Sequence, residues 1–484
     1  MNSQSLESII KSARDLMRKD AGLNTDVDRI PQLAWMLFLK CFDDFEKKRS
    51  AIDKDYKEAI PSSYRWRDWA ADENKGKTGP DLIRFVNNDL FSTLGNLVGG
   101  KGYEQRDVIA SIFKELNNRV LSGYILREII IIINKVNFFS SDDIHTMARL
   151  YERMLLEMRD AAGTNGEFYT PRPIIRFIVG MIHPKLEISE KILDPACGTG
   201  GFLTESLEYM KKNQKSTTDY SKLHRKTLFG IEKKPMPYLL SMMNMLLHEI
   251  DRPNIVRMNT LTISLKEITE ERQYDVIMTN PPFGGEEEAR IAKNLPVGMQ
   301  TTDTALAFLL FIMESLKAKG RCAIILPNGP LFGGGVAAKV KEKLLTDCNL
   351  HTIIRLPESV FSPYTGIATN ILFFDKAGPT NEIWYYQMKV REGLKAYNKT
   401  NPMAFSDFSK VVAWWDNRVG NENAWKVNVN EIKGYNLDIK NPNDVEEDSN
   451  LNPHELIESI IKDELETLNF LQEIKDLIYK EIPK

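Results

Sequence analysis

The stretch DVIMTNPPFGG, residues 275–285, ends a run suited to a buried strand with an unusual set of groups. Asn280 offers a side-chain carbonyl and Pro281 a backbone carbonyl, so the loop carries two hydrogen-bond acceptors side by side. Pro281 and Pro282 fix φ and stiffen the loop, and Pro282 biases Pro281 toward an extended backbone. Phe283 adds a flat ring. Two stiffly held acceptors beside a ring suit a planar group bearing an N–H₂. In isolation the stretch also reads as a turn that ends a strand.

A second stretch, DPACGTGGFL (residues 194–203), closes an earlier apolar run. Gly198, Gly200 and Gly201 let the backbone turn sharply and approach a ligand, with a helix beginning just after. GxxxxGK[ST] is absent, so nothing here warrants ATP hydrolysis. A third, FGIE, puts Glu232 at the tip of the next strand, where an acid can accept hydrogen bonds from two ribose hydroxyls. A glycine loop alone is equally a tight turn, and Glu232 alone is equally a surface acid. Glycine loop, strand-two acid and NPPF in that order are far more specific than any one of them.

These groups need a sheet to hold them. From about residue 190, β-branched runs alternate with helical patterns. Strands are expected at KILDPA, TLFGIE, NIVRMNT, YDVIMTN, RCAIILPNG, HTIIRLPE and TNILFFD, with helices such as ALAFLLFIMESLKAK between them. That alternation predicts a mostly parallel sheet covered by helices, with the ligand crevice at the carboxyl ends of the strands. WYYQM and VVAWWDN read as added strands and packing pieces. Residues 1–160 read as helical: Leu6, Ile9, Ile10, Ala13, Leu16 and Met17 share one helix face, and LAWMLFL and IIIII suit buried helices. The helical spacing returns in DDIHTMARLYERMLLEM. Residues 440–453 form an acidic, Asn-rich linker, and a last amphipathic helix carries Ile457, Ile461, Leu465, Leu468, Leu471, Ile474 and Ile478. The expected units are 1–160, 161–439 and 440–484.

The chain of 484 residues is too long for one ordinary core. Its net charge of −3 excludes a protein that grips nucleic acid by bulk charge alone. Cys41, Cys197, Cys322 and Cys348 form no CxxC pair and there is no HExxH, so no metal site is expected. No apolar run reaches the roughly 20 residues that span a bilayer. A cytoplasmic protein with reduced thiols is expected.

The three motifs together resemble those of S-adenosylmethionine-dependent amino-group methyltransferases of the N6-adenine DNA type. NGEFYTPRPI (residues 165–174) is similar to a further cofactor motif of that group, and RIPQLAWMLFLKCFDDFE to the helical domain of one subfamily, the modification (M) subunit of type I restriction-modification systems. The resemblance spans nearly the whole chain. It implies an α/β fold: a Rossmann-like class I methyltransferase sheet with an N-terminal helical domain and a C-terminal helical tail. It implies that Asp194, Thr199, Gly200 and Gly201 meet S-adenosylmethionine at its methionine end, that Gly198 is also among the cofactor-binding residues, and that Glu232 holds the ribose. Glu167, Phe168, Tyr169, Thr170, Pro171 and Arg172 would close over it. Asn280, Pro281, Pro282 and Phe283 would be the catalytic loop. Implied partners are double-stranded DNA, a specificity (S) subunit, a second M subunit and a restriction/translocase (R) subunit.

In that setting the NPPF loop makes chemical sense. The amino group of a base is a poor nucleophile because its lone pair is spread into the ring. Acceptors on both N–H bonds hold the lone pair toward the methyl group and stabilise the positive charge that nitrogen gains in the transition state. Stacking on Phe283 is worth roughly 1–3 kcal/mol, comparable to the cost of flipping a base. Other readings are a protein-glutamine N5 methyltransferase, a DNA cytosine-N4 methyltransferase and a non-catalytic cofactor-binding scaffold. A specificity subunit is expected because the chain beyond the sheet is too short for a typical recognition domain.

Overall fold

The computed structural model describes residues 3–100, 105–136, 138, 170–185, 190–213, 226–248, 250, 253–361, 366–398, 400–443 and single helical positions between 457 and 472. The pattern DDIHTMARLYERMLLEM and the sites Glu167, Phe168 and Tyr169 lie outside these residues.

All seven expected strands form. They are β1 (Ile192–Asp194), β2 (Leu228–Glu232), β3 (Asn254–Arg257), β4 (Tyr274–Thr279), β5 (Leu316–Pro327), β6 (Asn349–Arg355) and β7 (Thr369–Asp375). With β8 (Glu382–Gln387) and β9 (Ala424–Asn428) they make one sheet in the order β3-β2-β1-β4-β5-β7-β6-β8-β9. The five strands from β3 to β5 are parallel. Strand β7 runs antiparallel between β5 and β6, β8 is parallel to β6, and β9 closes the edge antiparallel. Strand order reverses between β1 and β4, and such a reversal opens a crevice at the carboxyl ends of the strands. The glycine loop follows β1 and NPPF follows β4, so the two motifs meet there.

Side chains alternate across the sheet, as period-two geometry demands. Ile192, Val276 and Ala323 belong to one buried cluster; Leu193, Ile277 and Cys322 belong to the other. The helices Thr304–Ser315 and Val336–Asp347 cover the second face. The first face is covered by the helices Arg172–Ile182 and Pro235–Leu247, and its cluster runs on without a break into the N-terminal helices. There Leu33 through Leu39 are fully buried in the helix Asp26–Ile52, and Ile129, Ile130 and Ile133 are buried in the helix Gly123–Asn134. The seam also carries polar ties: Ser111 Oγ donates to Tyr238 Oη at 2.8 Å, and Arg257 pairs with Glu115.

Two local expectations change. The helix read over ALAFLLFIMESLKAK stops at Ser315. Leu316 already pairs with Tyr274, and an irregularity follows before Arg321 pairs with Val276. VVAWWDN contributes to the helix Ser409–Trp415, where Val411 and Trp414, three residues apart, are the buried pair. At the other end of the chain, the described positions of the last segment are helical and exposed, among them Ile457, Ile461, Leu465 and Leu468.

Among the described residues no helix is long and apolar enough to cross a membrane, and no group of His, Cys, Asp and Glu could hold a metal ion. All four cysteines are free and buried.

Candidate active site

A cavity of about 260 Å³ occupies the crevice at the strand reversal. Strand β1 delivers Asp194 to its floor, and the chain then turns through Gly198 and Gly200, whose φ values of 52° and 77° suit glycine. The helix Gly201–Asn213 begins immediately. The turn is pinned from outside: Asn244 Nδ2 donates to the Thr199 carbonyl at 2.9 Å, and Thr260 Oγ1 donates to the Pro195 carbonyl.

Glu232 stands at the tip of β2. One carboxylate oxygen accepts from Gly198 N at 2.9 Å and the other from Lys234 N at 2.7 Å. The acid therefore braces the glycine loop. Each oxygen keeps further lone-pair capacity, which the ligand hydroxyls of the sequence reading require. Burial raises its carboxyl above the ordinary range, against the pull of those backbone donors. Asp194 is more extreme. Its Oδ1 accepts from Thr279 Oγ1 at 2.7 Å and from Ala196 N at 3.1 Å. Burial nevertheless lifts its carboxyl to about 7, and the nearby Glu232 charge adds to the rise. Two desolvated carboxylates, with backbone donors on the loop between them, suit a ligand bearing a cationic amine and hydroxyl groups. They fit S-adenosylmethionine on the chemistry of the site alone.

The NPPF loop lies opposite. Asn280 Nδ2 donates to Thr170 Oγ1 at 3.0 Å, while Asn280 Oδ1 is buried with no hydrogen-bond partner. A buried acceptor left unpaired costs about 1–3 kcal/mol. The amide is thus held with its oxygen free. Phe283 packs edge-to-face on Phe361, ring centroids 5.2 Å apart and planes at 86°.

The cavity gathers most of the expected residues. Thr170, Asp194, Gly198, Thr199, Gly201, Glu232, Asn280 and Pro282 line it; Pro171, Arg172, Gly200, Pro281 and Phe283 are not among the lining residues. Arg172 turns away to the first turn of the helix Gly201–Asn213, donating to Gly201 O and Thr204 Oγ1 at 3.2 Å each. The same cavity includes residues that the motifs did not name: Lys233, Asn259, Thr260, Glu287 and Phe308. Only the polar pair closing NIVRMNT gave any sequence signal for them. Cys197, inside the glycine motif, is buried, and burial pushes its thiol well above the usual range, so it packs as a small apolar group.

Comparison with known families decides the class. The family model described as N-6 DNA Methylase matches residues 142–450, and the HsdM N-terminal domain matches residues 6–133. The chain belongs to the type I restriction-modification methylase subunits. This methylase subunit is 45% identical over 485 residues to the type I restriction enzyme EcoEI methylase subunit of Escherichia coli, covering 98% of each chain. A crystal structure of a modification subunit of a putative type I restriction enzyme from Vibrio vulnificus YJ016 is 49% identical, with TM-score 0.81 over 91% of this chain and 97% of that one. A chain from a study of complex assembly and conformational transition of the type I R-M system is 38% identical, with TM-score 0.83 over the full length of both. The methylase subunit is an adenine-specific DNA methyltransferase, and the glutamine-N5, cytosine-N4 and non-catalytic readings fall away.

Proposed function

We propose that the chain transfers a methyl group from S-adenosylmethionine to the 6-amino group of a flipped adenine in double-stranded DNA. The observation that carries this reading is the orphaned, buried Oδ1 of Asn280 at the edge of the cavity, its amide fixed by Thr170. The cofactor, when bound, supplies a methyl group already activated on a sulfonium. Asn280 Oδ1 accepts one N–H of the adenine amine and the Pro281 carbonyl accepts the other. Both stabilise positive charge on nitrogen more in the transition state than in the ground state. The two prolines hold the acceptors in place before the base arrives. Phe283 offers its ring to the flipped base. Asp194 and the turn through Thr199 and Gly201 hold the methionine end of the cofactor, and Glu232 its ribose.

Asn280→Ala is expected to abolish methylation while leaving cofactor affinity within a few fold. Calorimetry on the folded variant checks the second point, and parallel loss of binding and transfer would overturn the reading.

The working assembly joins this chain to a specificity subunit that reads the bases, to a second M subunit and to a restriction/translocase subunit. In it, 1–160 is the helical unit, 161–439 the catalytic unit and 440–484 a linker and docking helix. Support comes from the exposed apolar positions Ile457, Ile461, Leu465 and Leu468, spaced three or four apart.

A further inference from the structure

The loop beyond NPPF carries three consecutive acids, Glu286, Glu287 and Glu288, and the middle one is the least exposed: Glu286 and Glu288 are exposed, whereas the Glu287 side chain is 11% exposed. The loop is tied to the start of the helix Thr304–Ser315. Glu287 N donates to Thr302 O at 2.8 Å and Thr304 Oγ1 donates to Gly285 O at 3.1 Å. This tether carries Glu287 across the crevice to the tips of β2 and β3. There its carboxylate accepts from Lys233 Nζ at 3.1 and 3.2 Å and from Asn259 Nδ2 at 3.0 Å.

That placement falls on the part of the cavity that the reading above leaves for the adenine of the cofactor. If Glu232 holds the ribose, the base lies beyond it, among Lys233, Asn259, Thr260 and Phe308, all of which line the cavity. Adenine presents an N–H₂ on its outer edge and so needs an acceptor. Asn259 is poorly free to be that acceptor: its Oδ1 takes Leu261 N at 3.0 Å, and its amide N–H is turned to Glu287. Glu287 is a carboxylate with several lone-pair sites, only some of them occupied, and Lys233 balances its charge.

We propose that Glu287 accepts a hydrogen bond from the 6-amino group of the cofactor's adenine and so selects adenine over other purines in the cofactor. The assignment rests on the reading of this cavity as the S-adenosylmethionine site. It gives the loop a second reader: the segment that presents Asn280 to the target base would, seven residues on, touch the base of the cofactor. Occupancy of the cofactor site would then bear directly on the order of the catalytic loop.

The test is calorimetric affinity of the full chain for two ligands: S-adenosylhomocysteine and its analogue with hydrogen in place of the 6-amino group. The unmodified protein is expected to prefer the amino ligand by about tenfold, the range of one charge-assisted hydrogen bond. Glu287→Ala is expected to weaken the amino ligand by about that factor and leave the analogue within twofold, abolishing the preference. Glu287→Gln, which keeps an acceptor, is expected to retain part of it. Equal weakening of both ligands, or a preference that survives in Glu287→Ala, would overturn the assignment while leaving the cofactor reading intact. Failure of the unmodified chain to bind either ligand would overturn the cofactor reading and this assignment with it.

Discussion

Cofactor binding should depend on pH in a way set by Asp194. Its carboxyl titrates at about 7 because it is buried beside Glu232, despite the bonds from Thr279 and Ala196. The sign follows from linkage. An acid whose folded pKa lies above its unfolded value binds more protons in the fold, so it destabilises the ligand-free protein progressively as pH rises from about 4 to about 7. A cationic ligand reverses the preference, because it needs the carboxylate ionised. With an apo pKa of about 7, roughly 3% of Asp194 is ionised at about pH 5.5 and roughly one-quarter at about pH 6.5. Affinity for S-adenosylmethionine should therefore rise roughly eightfold across that interval, on the order of 1.2 kcal/mol. The range stays about a unit below 7.7, near which the ligand's own α-amino group is half deprotonated. Calorimetry in buffers of different ionisation enthalpy should detect close to one proton released per ligand at the lower pH and about three-quarters of one at the upper. Asp194→Asn should bind more weakly at the upper pH and flatten the profile. Glu232→Gln, run beside it, separates the second raised carboxyl, which acts in the same direction. A flat profile in the unmodified protein, or one that Asp194→Asn leaves unchanged, would refute the argument.

Other consequences are as direct. Thr170→Val removes the hydroxyl that fixes the Asn280 amide and should lower kcat roughly five- to tenfold, about 1 kcal/mol, with cofactor affinity unchanged and Thr170→Ser restoring the rate; a loss of affinity equal to the loss of kcat would make Thr170 a cofactor contact instead. Glu232→Ala should weaken cofactor binding by about 2–3 kcal/mol, since it removes the brace on Gly198 and, on the proposed reading, the acceptor for the ribose; unchanged affinity in the folded variant would sink the ribose assignment. Truncation after Asn452 should leave a folded, cofactor-binding chain that no longer assembles with a specificity subunit, and gel filtration of the two chains together reads the outcome. Normal assembly would remove the tail from the interface.

The strands were legible because each pairs a β-branched run with a turn signal, and the motifs at their tips fixed which ends face the crevice. Strand β9 was not, since Ala424–Asn428 alternates too weakly and its partner β8 lies some forty residues earlier. VVAWWDN misled because four bulky apolar residues in five suit an apolar strand, while the helix buries only the pair three apart. At the site, sequence order led to the groups at the strand tips. It gave no lead to Glu287 or Phe308, which reach the crevice by loop closure and helix packing, nor to Phe361, which packs on Phe283, with no local pattern to mark them. Nor did it reveal that Thr170 answers Asn280 across 110 positions of chain.

The unbroken apolar cluster that joins the N-terminal helices to one face of the sheet has a bearing on how the molecule comes apart. Each layer screens the other from water, so neither can melt alone without exposing the shared seam around Tyr238 and Phe113. Heat or denaturant should meet one cooperative block, and removing the first 133 residues would uncover a greasy plane on the remainder and leave no self-sufficient enzyme core. Damage far from the crevice, in the tightly packed turns around Trp35 for example, would thus reach the chemistry through the stability of the whole block.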